Sequence, residues 1–213
     1  MSLFHWRQSK LEEYKINSFY YFSHKKNINT ILKHGILPQN KVQDMGLEYT
    51  SFAEKGVQDR RDIKSIMLSN NQWYNIHDLV PLYLTPKTPT LYARKNIQDD
   101  LFFCRISSFE ICREAINFAF SDGNAGSQKT KFHFSLKELD KIPWSVIRAD
   151  SWVDIDDGKR KRNSEFLVFP KVRVKGIWKL IVNNKQLKTE IKSAVEQHDL
   201  KIEVNIDQRC FFN

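Results

Sequence analysis

Glu165 stands at the head of Glu-Phe-Leu-Val-Phe, a short apolar run that follows the basic cluster Lys159-Arg160-Lys161-Arg162. A carboxylate flush with a core strand is costly unless it is paired or has chemistry to perform. Two readings stay open here: an edge-strand Glu facing water, or a catalytic carboxylate. Arg60-Arg61 lies in a polar stretch. A guanidinium there could clamp a pyrophosphate by bidentate contacts, or the pair could be solvated on a helix face. Four cations at 159–162 repel one another in a chain that is already basic, which favours a phosphate contact over a merely solvated loop. Tyr20-Tyr21 could stack on a nicotinamide or a base, or pack within a strand. Tyr83, close to Lys87 and the prolines Pro86 and Pro89, could hold an unstacked base. His24, His77 and His133 share no ligand-like spacing, although His77-Asp78 could brace the strand after it.

These residues need a framework, and the composition bounds it. The chain has 213 residues, 41% of them hydrophobic, with 15 Phe, which is enough for a sizeable core in one domain. Lys and Arg total 34 against 25 Asp and Glu, giving +9 and favouring a polyanionic partner. No run approaches a membrane span and the start lacks a signal-peptide pattern, so a cytoplasmic protein without a membrane partner is expected. Three cysteines without a CxxC pair argue against a disulfide framework and a zinc site. GxGxxG, GxxxxGK[ST], HExxH and GxSxG are all absent, which disfavours Rossmann dehydrogenases, P-loop NTPases, zinc proteases and α/β-hydrolases.

The pattern along the chain predicts α+β architecture with a largely antiparallel sheet. Residues 1–16 form a helix or a loosely docked arm. Residues 19–23 read as a strand, and Ile28, Ile31 and Leu32 as a helix stopped by Gly35. Val57, Arg61 and the apolar residues of 63–68 fit a short helix. Strands are expected at 77–84, 101–106, 118–120, 164–169, 172–182 and 202–206, with helices at 108–115 and 185–198. Residues 121–127 read as a surface turn, 136–147 as a helix broken by Pro143, and 154–163 as a charged loop.

In chain order these segments resemble the DarT family of DNA ADP-ribosyltransferase toxins. The resemblance rests on Phe19-Tyr-Tyr-Phe-Ser-His24 with Asn27, Val57-Gln-Asp-Arg-Arg61, and His77-Asp-Leu-Val-Pro-Leu-Tyr83. It continues through Pro86-Lys-Thr-Pro89-Thr-Leu-Tyr92, Phe120-Ser-Asp-Gly-Asn124 and Asn163-Ser-Glu-Phe-Leu-Val168. It implies a single domain over 1–213 with the split β-sandwich of the diphtheria-toxin and PARP-type ADP-ribosyltransferases. NAD+ is the implied co-substrate, single-stranded DNA the substrate, and a DarG-like macrodomain antitoxin the partner of a monomer that needs no metal. By resemblance, Glu165 and Arg61 are catalytic, and Tyr20, Tyr21, Ser23, Asn27, Leu37, Arg61 and Tyr83 bind NAD+. DNA contacts fall to Tyr83, Lys87, Thr90, Lys159, Arg160, Lys161, Arg162 and Asn163. Tyr21 stands where the family usually has His, Ser23 where it has Thr, and Thr90 where many members have Met. The target base, thymidine or guanosine, stays open. So do a non-catalytic single-stranded nucleic-acid-binding module and transfer to RNA or protein.

Overall fold

Aromatic and β-branched residues dominate the segments that become strands, as their fit to a pleated, half-buried surface requires. A computed structural model describes residues 1–51 and 64–212. Its strands are β1 (Ser18–His24), β2 (Ser65–Met67), β3 (Trp73–Asn75), β4 (Val80–Tyr83), β5 (Leu101–Ser107), β6 (Asn117–Ser121), β7 (Phe132–His133), β8 (Glu165–Phe169), β9 (Ile177–Val182) and β10 (Glu203–Ile206). Eight of them form one sheet in the order β10-β9-β5-β1-β4-β8-β6-β7, while β2 and β3 make a separate hairpin. Every neighbouring pair is antiparallel except β9 and β10. Helices among the described residues are α1 (Leu3–Glu13), α2 (Ile28–His34), α3 (Gln39–Asp44), α4 (Pro89–Tyr92), α5 (Ser108–Cys112), α6 (Trp144–Arg148), α7 (Gly158–Arg162) and α8 (Lys185–Gln197).

The sheet has two halves, and their junction matters most for function. β1 pairs with β5 at seven positions and β4 with β8 at four, but β1 and β4 share a single register pair, Tyr20 opposite Tyr83. On one face a continuous core spans both halves, with Phe19, Leu82, Phe102, Phe118 and Phe166 packed with Ile31 of α2 and Ile191 of α8. Each such fully buried side chain contributes about 1.5–3 kcal/mol. On the opposite face the apolar residues separate into two groups. Phe22, Phe103 and Ile181 serve one half, and Ala119, Ala125 and Leu167 the other. One shared face holds the halves together while the divided face opens between them.

Local chemistry explains the element boundaries. Gly35 ends α2 at φ +81°, and a Cβ there would lie 2.2 Å from the Val172 carbonyl oxygen. Ile36 and Val172 bridge there through two backbone hydrogen bonds. The N-terminal helix is firmly docked: buried Arg7 donates from Nη1 to the carbonyls of Ile111, Arg113 and Ile116.

Several expectations need correction. The strand expected over 77–84 begins only at Val80, after a 3-10 turn at Ile76–Asp78 in which the Asn75 side chain accepts from the His77 N–H, and the helix expected over 108–115 ends at Cys112. Residues 65–67 form a strand, because Ile66 buries its side chain while pairing with Tyr74. The strand expected over 172–182 starts only at Ile177, after a turn in which Gly176 sits against the Glu110 side chain. Residues 121–127 are no surface turn, since Ser121, Gly123, Ala125 and Gly126 are buried. The expected loop at 154–163 winds into α7, whose Gly158 lies where a Cβ would come within 2.2 Å of the Trp152 carbonyl oxygen.

Candidate active site

Glu165 is the first residue of β8, an internal strand between β4 and β6, and only 1% of it is exposed. The edge-strand reading is therefore wrong. Its register partner is Tyr83 on β4, so the two side chains share a face where the halves part. Glu165 Oε1 accepts a hydrogen bond from the Ala125 backbone N–H at 3.1 Å. Its own N–H donates to Ser121 Oγ, which in turn donates to the Gly123 carbonyl. Residues 121–127 thus form a cradle beneath the carboxylate.

Arg160 fastens that cradle. Its Nη1 donates to Asp122 Oδ1 at 2.8 Å and to Thr130 Oγ1 at 3.2 Å, and its Nε to Asp157 Oδ2 at 2.5 Å. The Arg160 carbonyl accepts from the Asn124 N–H. Burial pulls the Arg160 pKa down, but Asp157 and Asp122 outweigh it and hold the group above its ordinary value. Gly123 makes the approach possible, since a Cβ there would lie 2.3 Å from Arg160 Nη1.

The divergence of β1 and β4 opens a cleft of about 630 Å³. Tyr21 and Phe22 line it from β1, Pro81 and Tyr83 from β4, Thr90 from α4, and Lys159 from α7. Tyr83 stacks on Phe22 with centroids 5.6 Å apart and rings tilted by 20°, which holds its ring upright beside Glu165. The Tyr21 hydroxyl hydrogen-bonds the Tyr49 hydroxyl at 2.7 Å. Burial pushes the Tyr21 phenol well above its usual pKa, and Tyr49 adds to the shift. Asn163 Oδ1 accepts from both the N–H and the hydroxyl of Thr90, and its Nδ2 donates to the Lys159 carbonyl. Among the described lining residues Glu165 is the only carboxylate, against the cations Arg94 and Lys159. A buried carboxylate beside an aromatic ring, in a positively charged cleft, suits stabilisation of a cation that forms within a bound polyanion.

The cleft gathers seven of the sequence-expected site residues: Tyr21, Leu37, Tyr83, Thr90, Lys159, Asn163 and Glu165. Others sit elsewhere. Tyr20, the register partner of Tyr83, packs edge-on against Phe103 and lines a neighbouring concavity instead of the cleft. Ser23 and Asn27 are buried outside the lining. Asn27 Nδ2 donates to Ser23 Oγ and to the Thr50 carbonyl, and its Oδ1 accepts from the Thr50 N–H, so the pair positions the loop that carries Tyr49. Lys87 lies over the Phe212 ring, outside the cleft. The basic cluster also divides. Arg162 is 4% exposed and donates to the carbonyls of Lys87, Val146, Ile147 and Ala149. Lys161 donates to the Asp156 carbonyl. Only Lys159 of the four lines the cleft. Arg60 and Arg61, with 57–63 as a whole, lie outside the described residues.

Sequence reasoning missed the Ala125 N–H, since a backbone donor has no residue-type signature. It also missed Tyr49 and Arg94. Tyr49 sits in a polar, irregular stretch without periodicity, and Arg94 follows a helix of only four residues.

A model of the family described as "ssDNA thymidine ADP-ribosyltransferase, DarT" matches residues 20–212. The chain belongs to the DarT family. The DNA ADP-ribosyltransferase of Thermus sp. (strain 2.9) is 25% identical over 186 residues, covering 84% of this chain and 87% of that protein. The structure of Thermus sp. 2.9 DarT with ADP-ribosylated ssDNA superposes with a TM-score of 0.83 at 23% identity, covering 93% and 97% of the two chains. The same protein with NAD+ gives a TM-score of 0.78 at 21% identity, covering 93% and 98%. A fused DNA ADP-ribosyl transferase and DNA ADP-ribosyl glycohydrolase from Thermosipho africanus is 25% identical over 194 residues, or 88% of this chain and 48% of the fusion. The expected α+β ADP-ribosyltransferase fold and DNA ADP-ribosyltransferase class are borne out. The DarT family model names thymidine, the base the sequence left open. Among the described residues no helix is long and apolar enough to cross a membrane.

Proposed function

We propose that this DarT-family chain transfers ADP-ribose from NAD+ to thymidine in single-stranded DNA, with Glu165 as the catalytic carboxylate. The observation that carries this reading is the buried Glu165, held by the Ala125 N–H at the head of β8 and opening on the cleft beside Tyr83. A cleft of about 630 Å³ lies within the size range of cofactor sites.

In the transfer, the bond between nicotinamide and the ribose anomeric carbon breaks and a bond from that carbon to a ring nitrogen of the base forms. Neutral nicotinamide leaves, and the base loses one proton. Glu165 accepts a hydrogen bond from a ribose hydroxyl and faces the positive charge that builds on the sugar. It then accepts the proton released by the attacking nitrogen, which needs only hydrogen-bond reach. Tyr83 offers a ring face to nicotinamide or the base, and Tyr21 and Leu37 wall the nicotinamide-ribose end. Arg61 holds the NAD+ phosphates or polarises a base carbonyl. Thr90, Lys159 and Asn163 contact the DNA, whose target base must leave the stack to reach the cleft. Residues 1–213 act as one domain and a monomer, a toxin restrained in the cytoplasm by a DarG-like macrodomain antitoxin. The fused glycohydrolase of the Thermosipho relative supports that pairing.

The test is mass spectrometry of mixed-sequence DNA oligonucleotides, RNA and protein, each incubated with NAD+ and the full chain. The proposal expects one ADP-ribose on thymidine-containing DNA. Modification confined to RNA or protein, or DNA binding without NAD+ consumption, would overturn it.

A further inference from the structure

A second concavity, about 660 Å³, lies beside the cleft and shares none of its lining residues. Residues 84–87 continue β4 into its wall, so Tyr83 faces the cleft while Lys87 lines the groove. The α7 helix divides in the same way, with Lys159 on the cleft and Arg162 on the groove. The one β1–β4 register pair, Tyr20 opposite Tyr83, lies at this boundary, with Tyr20 lining the groove. The groove is therefore the next concavity along the surface that leads out of the site.

Its chemistry is specific. Four of its cations, Lys15, Lys87, Arg105 and Arg148, have no carboxylate partner among the described residues. Asp150 is the one acidic residue among the described lining residues. Arg105 is braced by its Nε–H to Ser18 Oγ and lies between the Tyr20 and Trp178 rings, 6.0 and 4.7 Å from their centroids. Tyr14 and Trp144 stack with centroids 5.6 Å apart, and Arg148 lies 4.8 Å over the Trp144 ring. Cations without an ion-pair carboxylate, set among aromatic faces, are the combination that holds single-stranded nucleic acid, its phosphates on the cations and its bases on the rings. A site for a small anion would not need the rings.

We infer that this groove binds the nucleotides flanking the target base on the same DNA strand. The inference rests on the transferase reading for which strand occupies the groove, while the groove's affinity for single-stranded DNA does not depend on transfer. It assigns Lys15, Arg105 and Arg148 a role in substrate length preference, separate from the chemistry at Glu165.

The experiment measures fluorescence anisotropy of a labelled single-stranded oligonucleotide of about 16 nucleotides, titrated with salt, using the full chain without NAD+. Transfer to that oligonucleotide and to a thymidine-centred trinucleotide is measured in parallel. The triple variant K15Q/R105Q/R148Q should lower the slope of log affinity against log salt by about 2, at about 0.7 for each phosphate that is no longer neutralised. It should lose the long oligonucleotide's advantage in KM and keep wild-type turnover of the trinucleotide. The K15Q/R148Q pair, both at exposed positions, covers misfolding at Arg105 and should lower the slope by about 1.4. An unchanged slope and length advantage would overturn the inference, as would duplex DNA binding as tightly as single strands. If the wild type transfers to no oligonucleotide but the variants still lose binding, the groove stands and the transferase reading falls.

Discussion

Replacing Arg160 with Ala separates a structural clamp from a DNA contact. The side chain donates to Asp122, Asp157 and Thr130 and is 14% exposed, whereas Asp122 and Asp157 are 21% and 35% exposed. Hydrogen bonds to charged partners contribute about 1.5–3 kcal/mol each. Both carboxylates can regain water once the guanidinium is gone, so the summed loss falls at about 2–4 kcal/mol. For a chain of this size each kcal/mol moves Tm by about 2–4 °C, so Tm should fall by about 4–16 °C. The same change frees residues 121–127 and with them the Ala125 N–H that holds Glu165. The transfer rate should therefore drop more than oligonucleotide affinity. Thermal melts, salt-dependent anisotropy and single-turnover transfer would be measured on one preparation. An unchanged Tm with a salt slope reduced by about 0.7 would refute the clamp and restore Arg160 to a phosphate track.

Arg162→Lys should cost at least about 3 kcal/mol by leaving buried carbonyls under-satisfied, with no change in the salt slope; urea unfolding with the same anisotropy titration checks both. Burial pushes the thiols of Cys112 and Cys210 up to about 11, and that of Cys104 higher still. At pH 8 fewer than about one native thiol in a hundred is ionised, so alkylation should be slow until denaturant is added. Because the folded chain retains these protons longer than the unfolded one, stability should be complete below about pH 9 and fall as pH rises toward 11, which urea midpoints across that range would show. Arg61→Lys should lose most transfer activity and Arg60→Lys almost none, since Lys cannot reproduce bidentate contacts; the reverse result in single-turnover assays would shift the assignment by one residue.

The sequence disclosed elements whose signals are local. Gly35 closes α2 because only a residue at ease with positive φ ends a helix there, and the aromatic run of β1 reads as a strand from composition alone. Glu165 stood out by contrast, as a charge heading an apolar strand. Hidden features depend on partners distant in sequence. Whether β8 is internal or at an edge follows from its pairing with β4 and β6, which nothing near Glu165 encodes. Arg160 and Arg162 look like exposed cations until residues 122, 130 and 146–149 arrive around them. Ser23 and Asn27, which the resemblance gives as NAD+-binding residues, instead hydrogen-bond each other and the Thr50 backbone.

The role of Glu165 is tested by single-turnover transfer from NAD+ to a thymidine-containing single-stranded oligonucleotide, measured for Glu165→Gln. The amide keeps an oxygen for the Ala125 N–H but carries no charge to face the ribose and cannot accept the proton. The variant's rate should fall about 10²–10⁴-fold below wild type, with Tm and NAD+ affinity close to wild type. Transfer at the wild-type rate by this folded variant would contradict that role.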